Sequence, residues 1–443
     1  MIGARILDRL RNSVLIKNTA LVLAGQATRS AIQLVYFVVI ARALGPGDYG
    51  AFVATTALVG LAAPFATMGA GEILVMQTAR NPSAFGNYWG RALLVAPASG
   101  ASLTVVLVVA SRLILPDIAV ALLLCIALAD VVFARLLDLS GQAFQAFDQL
   151  GRTTHLLVLL SALRLVAAAG LFLLVSDPTP LQWAALYLGT TVAAAAYGLW
   201  TVHRHLGTPD RQKGGLRADL RLGSLFAVSL SAQTAYNDID KTMLGSLATV
   251  EAAGIYGVAY RIVDALFKPI HSVLASSFAS FFRHGARGLH ASKAYALRFL
   301  PWSVAYGLAA ALLLFLVAPL LPIVLGSGFS RSVEALRWLS VIPLLKGIHF
   351  FAAIALTAAG KQALRTLVQV AIAVLNVGLN LLLIPQYSWR GAAWASIATD
   401  SLLAVALWAA VLRLGDGRDA PPPTDAEDRM MPASLGTDEL GAS

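Results

Sequence analysis

The chain has 443 residues, 58% of them hydrophobic and only 13% charged, with a net charge of +10 and a mean hydropathy of +0.74. Soluble domains run at roughly 45–50% apolar and 25% charged residues, so the composition excludes an ordinary soluble globule and points to an all-α integral membrane protein. The basic residues sit in short gaps between apolar runs rather than on one face, which argues against a nucleic-acid partner, and the single cysteine, Cys125, excludes an intramolecular disulfide and a cysteine metal cluster.

Residues 1–18, with Arg5, Arg9, Arg11 and Lys17, read as a basic amphipathic segment on the cytoplasmic surface. Apolar stretches near the roughly 20 residues that cross a bilayer then recur. They predict about twelve helices, at 19–42, 49–72, 90–111, 118–144, 154–175, 181–202, 223–246, 254–280, 294–317, 332–357, 363–384 and 391–413. The first is too long for a signal-peptide core and lacks a small-residue cleavage site, so it is expected to be retained.

A cytoplasmic linker over 203–222 divides these helices into an N-terminal six-helix lobe (19–202) and a C-terminal one (223–413). The Pro/Asp/Gly/Ser-rich segment 414–443 has no apolar periodicity and reads as a disordered cytoplasmic tail. The even-numbered loops are the basic ones, with Arg80 and Arg91, Arg152, the Arg204–Arg221 cluster, Arg283 to Arg298, and Lys361 with Arg365. Positive charge near helix ends stays in the cytoplasm, so both termini are expected inside.

A repeat supports the six-plus-six division. "GDYGAFVATTALVGLAAP" opens the second helix and "GIYGVAYRIVDALFKP" the eighth; each places Tyr-Gly at the start (Tyr49-Gly50, Tyr256-Gly257) and a proline about four turns on (Pro64, Pro269). Six is even, so the halves are expected to run parallel about an axis along the membrane normal. Pro64, Pro269 and Pro343 are candidate bending points.

Ionisable residues at membrane depth cost about 2.5–3.5 kcal/mol each on insertion scales and mark function or structural pairing. Arg29 lies near the midplane, about 15 Å into the first helix at 1.5 Å per residue; Gln26, Arg29, Ser30 and Gln33 form one polar stripe. The fourth helix carries Asp130, Arg135, Asp138 and Gln142, the fifth Arg164, and the tenth Lys346. In the eighth helix Arg261, Asp264 and Lys268 alternate in charge at i, i+3, i+7. In the seventh, Ser229, Gln233, Asn237, Asp240 and Lys241 share a face and Asp238 points elsewhere; Asn376 with Asn380 and Ser396 with Asp400 lie one turn apart on the last two helices.

Pairs such as Arg135 with Asp138 or Arg261 with Asp264 can be plain structural ion pairs. Taken together, however, Arg29, Arg135, Arg164, Arg261, Lys268 and Lys346, with Gln26, Gln33 and Asp264 beside them, suggest a cationic cavity for an anionic ligand. No enzyme signature competes. There is no Gly-x-Ser-x-Gly, His-Glu-x-x-His or P-loop, and the histidines are expected mainly near helix ends and loops, His203 and His205 among them. Without a nucleotide-binding loop, uphill work must draw on an ion gradient, the membrane potential or consumption of the product.

Several stretches resemble the oligosaccharide (Wzx-type) flippases of the MOP superfamily, which also contains the multidrug/toxic-compound extrusion (MATE) transporters and the lipid II flippase. They are "IARALGPGDYGAF" with "MGAGEILVMQTAR", "NDIDKTMLGSLATVEAAGIYGVAYR", "VAPLLPIVLGSGFSRSVEALRWLSVIPL" and "VLNVGLNLLLIPQYSWRGAAWASIATD", and together they span the twelve predicted helices. The resemblance implies two six-helix lobes in an inverted V around a cationic cavity. It implies a flippase in the bacterial cytoplasmic membrane that carries a polyprenyl-diphosphate-linked oligosaccharide outward for surface polysaccharide synthesis (O-antigen, capsule or exopolysaccharide).

The partners it implies are that lipid-linked glycan, membrane lipids, and a glycan polymerase or glycosyltransferases; no cofactor is implied beyond a Na+ or H+ gradient. The lipid II flippase further implies a sodium site, which here would use Asp240, Asn376, Asn380 and Ser396 or Thr399. Asn380 replaces a carboxylate there, which weakens a sodium site and leaves proton coupling or no coupling open. A MATE-type drug or cation exporter and a non-transporting scaffold of the same fold are the alternatives.

Overall fold

The computed structural model describes residues 14–210 and 238–414 with three isolated positions between them, and side chains from residue 24 onward. The basic segment before residue 14, most of the 203–222 linker, the polar face of Ser229, Gln233 and Asn237, and the tail beyond residue 414 lie outside the described residues.

Among the described residues the chain is helical throughout, with no strand. Helix α1 (Val14–Ala62) contains the first predicted helix and most of the second, because the chain continues helically through a single break at Gly45. Gly45 has φ 71° and ψ 175°, a conformation only glycine adopts without strain, and Pro46 then starts the next helical segment at the position where its missing N–H costs nothing. A 3-10 turn, Ala63–Ala66, carries Pro64 and ends that segment before α2 (Ala70–Arg80).

There follow α3 (Phe85–Ile114), α4 (Val120–Gln145), α5 (Leu150–Leu174) and α6 (Pro180–His205). Helix α6 starts on a capping box in which Thr179 and Gln182 satisfy each other's backbone N–H groups, with Pro180 at the first turn. Residues 238–247 are helical and lead into α7 (Val250–Gly285) and α8 (Leu289–Val317). The predicted tenth helix is split into α9 (Ser330–Leu339) and α10 (Ile342–Ala358), with Pro343 in the first turn after the break. Helices α11 (Gln362–Tyr387) and α12 (Trp389–Leu414) complete the chain. Of the three candidate bending prolines, Pro269 differs from the others, since α7 runs through it without interruption.

Among the described residues, nine stretches are long and apolar enough to span a membrane. Helix α7 is not one of them, because Glu251, Arg261, Asp264 and Lys268 interrupt its apolar windows. The outward faces are lipid-like: Val105, Val106, Val109 and Leu113 on α3 and Leu367, Val374 and Leu382 on α11 are all exposed. A water-soluble protein would not leave such continuous apolar bands uncovered. The buried set instead includes Asp240, Lys241, Lys346, His349, Asn376, Asn380 and Asp400.

The chain divides into two compact units. The first contains residues up to Ala265 with Leu312–Ser340 and Ala373–Ala398, and the second Leu266–Ala311, Val341–Ile372 and Thr399 onward. Within the first, Phe85, Trp89, Leu137, Phe144, Ala194 and Ala195 form a buried core from α3, α4 and α6. Also within it, the two Tyr-Gly repeats meet. A Cβ on Gly50 would lie 1.7 Å from the Val250 carbonyl oxygen, one on Gly254 would lie 2.0 Å from that of Pro46, and one on Gly257 would lie 2.8 Å from Val53 Cγ1. Backbone therefore rests on backbone, the small-residue packing that replaces hydrophobic driving force between helices in lipid. Tyr49 and Tyr256 are both fully buried beside this crossing.

Because the Gly254 contact is with backbone, it cannot be relieved by a side-chain rotation. Gly254→Val is expected to lower the melting temperature of the purified protein by more than about 5 °C or to prevent folding, given the usual cost of about 1–3 kcal/mol or more for overpacking. Gly189→Ala, where a Cβ meets nothing within 4 Å, serves as the control and should melt like the wild type.

Candidate functional site

Two polar clusters of opposite sign occupy the first unit. The first begins on α1, where the stripe of Gln26, Arg29 and Gln33 continues one step further to Tyr36, which is buried. Gln26 is exposed, while Arg29 and Gln33 are half-buried. On α4 the residues Leu128–Phe133 form a π-helical turn, a rare irregularity that often re-aims functional groups. Asp130 sits in it. The Tyr187 hydroxyl donates to Asp130 Oδ1 at 2.9 Å, and Arg164 Nη2 lies 3.8 Å from the same oxygen.

Arg164 also donates to Thr191 Oγ1 at 3.2 Å, and its guanidinium carbon stands 3.7 Å from the Tyr187 ring centroid, close enough for a strong cation–π contact. Arg135 pairs with Asp138 at 3.1 Å and donates from Nε to the Asp130 carbonyl at 3.2 Å. Arg29 feels the charges of Asp138 and Arg164, and Arg164 feels Arg261. Arg261, exposed on α7, donates to the Tyr36 hydroxyl at 3.3 Å and lies over the Tyr36 and Phe37 rings. Four arginines thus stand with two carboxylates, and the cluster is net positive.

The second cluster centres on Asp240, which is 5% exposed. The Tyr256 hydroxyl donates to Asp240 Oδ2 and sits 3.0 Å from Ser396 Oγ, while the Lys241 backbone N–H donates to Asp240 Oδ1 at 2.8 Å. The Lys241 ammonium pairs with Asp238 and lies 4.4 Å from the Tyr260 ring centroid. Asp238 therefore does not point elsewhere, as the helical spacing suggested; it lies three residues before Lys241, and the two side chains meet across one turn of the helix. Asp264 acts on Lys241 as well. Asp238, Asp240 and Asp264 against one lysine make this cluster net negative. Asn380 Nδ2 donates to Asn376 Oδ1 at 2.9 Å, and Asn380 Oδ1 is buried with no hydrogen-bond partner.

The second unit holds the remaining candidates. Lys346 on α10 is 5% exposed, with its ammonium 5.8 Å from the Phe267 ring centroid. Lys268 on α7 is exposed. Thr399 is buried on α12, so Ser396 and Thr399, one turn apart, fall in different units.

A model of the family described as polysaccharide biosynthesis protein matches residues 15–273, more than half of the chain. The chain belongs to the polysaccharide biosynthesis protein family. No curated protein matches its sequence. Among solved structures, an inward-facing multidrug-resistance MATE transporter of the MOP superfamily is similar with a TM-score of 0.70 at 16% identity, over 89% of this chain and 98% of that one. An outward-facing MATE transporter scores 0.59 at 14% identity, over 93% of this chain and 99% of that one.

A MOP-superfamily transporter from Pyrococcus furiosus, for which a binding pocket of reversed polarity suggests a different function, scores 0.59 at 13% identity, over 91% of this chain and 96% of that one. The family member described here thus has the MATE-type fold of a multi-pass membrane protein.

Sequence reading missed the aromatic hydroxyls that organise both clusters. Tyr36, Tyr187 and Tyr256 count as apolar in a hydropathy pattern, yet each ties a charged group to another helix. It also missed His349, which lies in the middle of α10 rather than near a helix end and is buried. The Tyr36 signal was available, because that residue continues the stripe spacing of α1.

The Asp130–Arg164 pair yields a direct test. Removing one member of a buried ion pair leaves an uncompensated charge and typically costs 3–5 kcal/mol; with both side chains partly accessible, Asp130→Ala is expected to cost about 2–3 kcal/mol in thermal stability. Asp130→Ala/Arg164→Met should recover at least half of that loss in a double-mutant cycle. Purely additive losses would show that the two groups are not coupled.

Proposed function

We propose that this member of the polysaccharide biosynthesis protein family is a flippase. It moves a polyprenyl-diphosphate-linked oligosaccharide from the cytoplasmic to the outer leaflet of the bacterial cytoplasmic membrane by alternating access. The observation that carries this reading is the state of two arginines in the positive cluster: Arg29 Nε and Arg164 Nε are buried donors with no acceptor among the described residues. A buried donor left unpaired costs about 1–3 kcal/mol, more when charged, and a diphosphate offers the acceptors these guanidiniums need in the fork geometry that arginine reads best.

Such a headgroup with its sugars cannot cross about 30 Å of hydrocarbon unaided. The arginine cluster stands in for its hydration shell, and the polyprenyl tail stays among the membrane lipids. Glycan polymerase and glycosyltransferases are the natural neighbours in the sequence of reactions, since one class must build the glycan and another must consume it. The basic even-numbered loops support an orientation with both termini in the cytoplasm. A MATE-type cation exporter would instead require the main substrate cluster to be acidic.

Arg29→Ala is expected to abolish transfer of lipid-linked oligosaccharide into the lumen of proteoliposomes while leaving protein abundance unchanged. Arg29→Lys should restore only part, because the planar fork is lost. Normal transfer by Arg29→Ala would remove the anchor of the diphosphate reading.

The negative cluster has a separate role in this reading, as the site of a coupling cation. Oxygen donors suit a hard monovalent ion, and Asp240 with Ser396, and Asn376 with Asn380, supply them within one unit. Asp240→Asn is expected to eliminate sodium-dependent transport or the sodium-induced rise in melting temperature, whereas Asp238→Asn should preserve either effect. If the wild type responds to neither sodium nor protons, the cluster is structural.

A further inference from the structure

The described residues of the second unit hold nine lysines and arginines and a single carboxylate, Asp400. Five of those cations gather at one end. A Cβ on Gly285, the last residue of α7, would lie 2.2 Å from the Ala358 carbonyl oxygen at the end of α10. Ser292 in the first turn of α8 donates to the Ala355 carbonyl at 3.0 Å, and Arg365 in the first turn of α11 donates to Thr357 Oγ1 at 2.7 Å. Helix α11 then leads away from this end and α12 returns to it, because the connections at Gly360 and Ser388 are short turns with φ of 74° and 53°. Trp408 near the end of α12 donates to the Ile348 carbonyl on α10 at 2.9 Å. Arg283, Arg287, Lys361, Arg365 and Arg413 therefore share this end, with Lys293 and Arg298 farther along α8.

Arg283, Arg287, Lys361 and Arg413 are exposed and Arg365 is half-buried. Asp400 precedes Arg413 on α12 by about 20 Å at 1.5 Å per residue, too far to serve them. The bias that keeps Lys and Arg on one side of a membrane explains the cations, but it is nearly indifferent to Asp and Glu. In the first unit the basic loop residues do have carboxylates close in sequence: Glu72 before Arg80, Asp148 before Arg152, Asp210 after Arg204. Here they have none. The hydroxyls that Arg283 and Arg365 bond, Ser280 and Thr357, leave the charge uncompensated. Arg365 Nε is in addition a buried donor with no acceptor among the described residues. An anionic occupant fits this end, and the chain carries one. The 29 residues after Leu414 hold seven Asp and Glu against two Arg.

We propose that the acidic segment 415–443 docks on this basic end, where its carboxylates serve as counter-charges for Arg283, Arg287, Lys361, Arg365 and Arg413 and keep other anions off them. The segment starts at the right place, since α12 delivers Leu414 to the end where the cations stand. Its reach is sufficient. A chain spans at most about 3.3–3.6 Å per residue, so Asp425, with Glu427 and Asp428 just beyond it, can lie up to about 40 Å from Leu414, whereas neighbouring helices pack only about 8–10 Å apart. Tethering also raises the local concentration of these carboxylates to the mM range, which a separate anion must match. Arginine pairs with a carboxylate through two parallel hydrogen bonds, so four guanidiniums and one ammonium suit an Asp/Glu-rich segment. The contact is electrostatic, involves no covalent step, and weakens as salt screens it.

The test is zero-length carbodiimide cross-linking of the full-length protein, one molecule per nanodisc of neutral phosphatidylcholine, at low salt. Trypsin releases Asp419–Arg429, which holds four of the carboxylates, and mass spectrometry identifies the lysine joined to it. Lys361 is expected to be the main partner, severalfold above Lys17 and Lys213. Raising the salt from about 0.01 to 1 M shortens the Debye length from about 30 to 3 Å and should cut the Lys361 product about tenfold. Arg283→Gln/Arg287→Gln/Arg413→Gln keeps the Lys361 amine and should cut it severalfold; should that variant not fold, the salt series on the wild type decides. Cross-links to Lys17 or Lys213 in place of Lys361 would overturn the proposal. So would a Lys361 product that neither salt nor the triple substitution reduces, since tether proximity alone would then account for it. If the triple variant instead loses retained phosphatidylglycerol in native mass spectrometry while its cross-linking is unchanged, the end is a lipid headgroup site and the proposal is likewise overturned. No transport is measured, so the outcome is independent of the flippase reading.

Discussion

A charge carried into the bilayer must be met there by another protein group or by trapped water, because hydrocarbon offers it nothing. That requirement organises the polar interior of this protein. Arg164 is answered from three directions, by the Asp130 carboxylate, the Thr191 hydroxyl and the face of Tyr187. Lys241 is answered by Asp238 and the Tyr260 ring. Each answer comes at the level of the charge it serves, which fixes the rotation and depth of the helices that supply it. The apolar residues impose no such condition, since a leucine is as well placed against lipid as against another helix.

Close helix approach is the second condition, and glycine meets it where the two sequence repeats cross. Gly50 and Gly254 admit backbone atoms where any Cβ would intrude. The consequence for the polar groups is direct: Tyr256 follows Gly254 by two residues, and its hydroxyl is brought to both Asp240 and Ser396. A larger residue at position 254 would move α7 outward and open those two contacts together. The repeat therefore serves the site as well as the fold, and the polarity of the site depends on the absence of a side chain two residues away, at Gly254.

Much of the fold was legible because hydropathy and length carry it: the helical segments, the break at Gly45-Pro46 and the split beside Pro343 each correspond to a local signal. The charged stripes were legible for the same reason, since spacing on one helix places side chains on one face. What lay beyond reach was pairing between helices. Asp130 and Arg164 are 34 positions apart and no pattern in either helix names the other. The π-helical turn at Leu128–Phe133 has no proline or glycine to announce it, and it rotates Asp130 relative to the residues that follow. Tyrosine hides its hydroxyl inside an apolar count, and His349 is hidden by the apolar run around it.

The two clusters of the first unit share one helix. On α7, Tyr256, Tyr260 and Asp264 follow one another at i, i+4, i+8, which keeps them on a single face, and each acts on the Asp240–Lys241 pair. Arg261 is rotated by about 100° from Tyr260 and reaches Tyr36 on α1 instead. One rigid element thus holds the negative cluster on one side and a member of the positive cluster on the adjacent side. A helix cannot rotate one face without the other, so a rotation of α7 would shift the Tyr256 hydroxyl against Asp240 and the Arg261 guanidinium against Tyr36 in one movement. Opposite charge on neighbouring faces of α7 thus ties the geometry of the two clusters to one element.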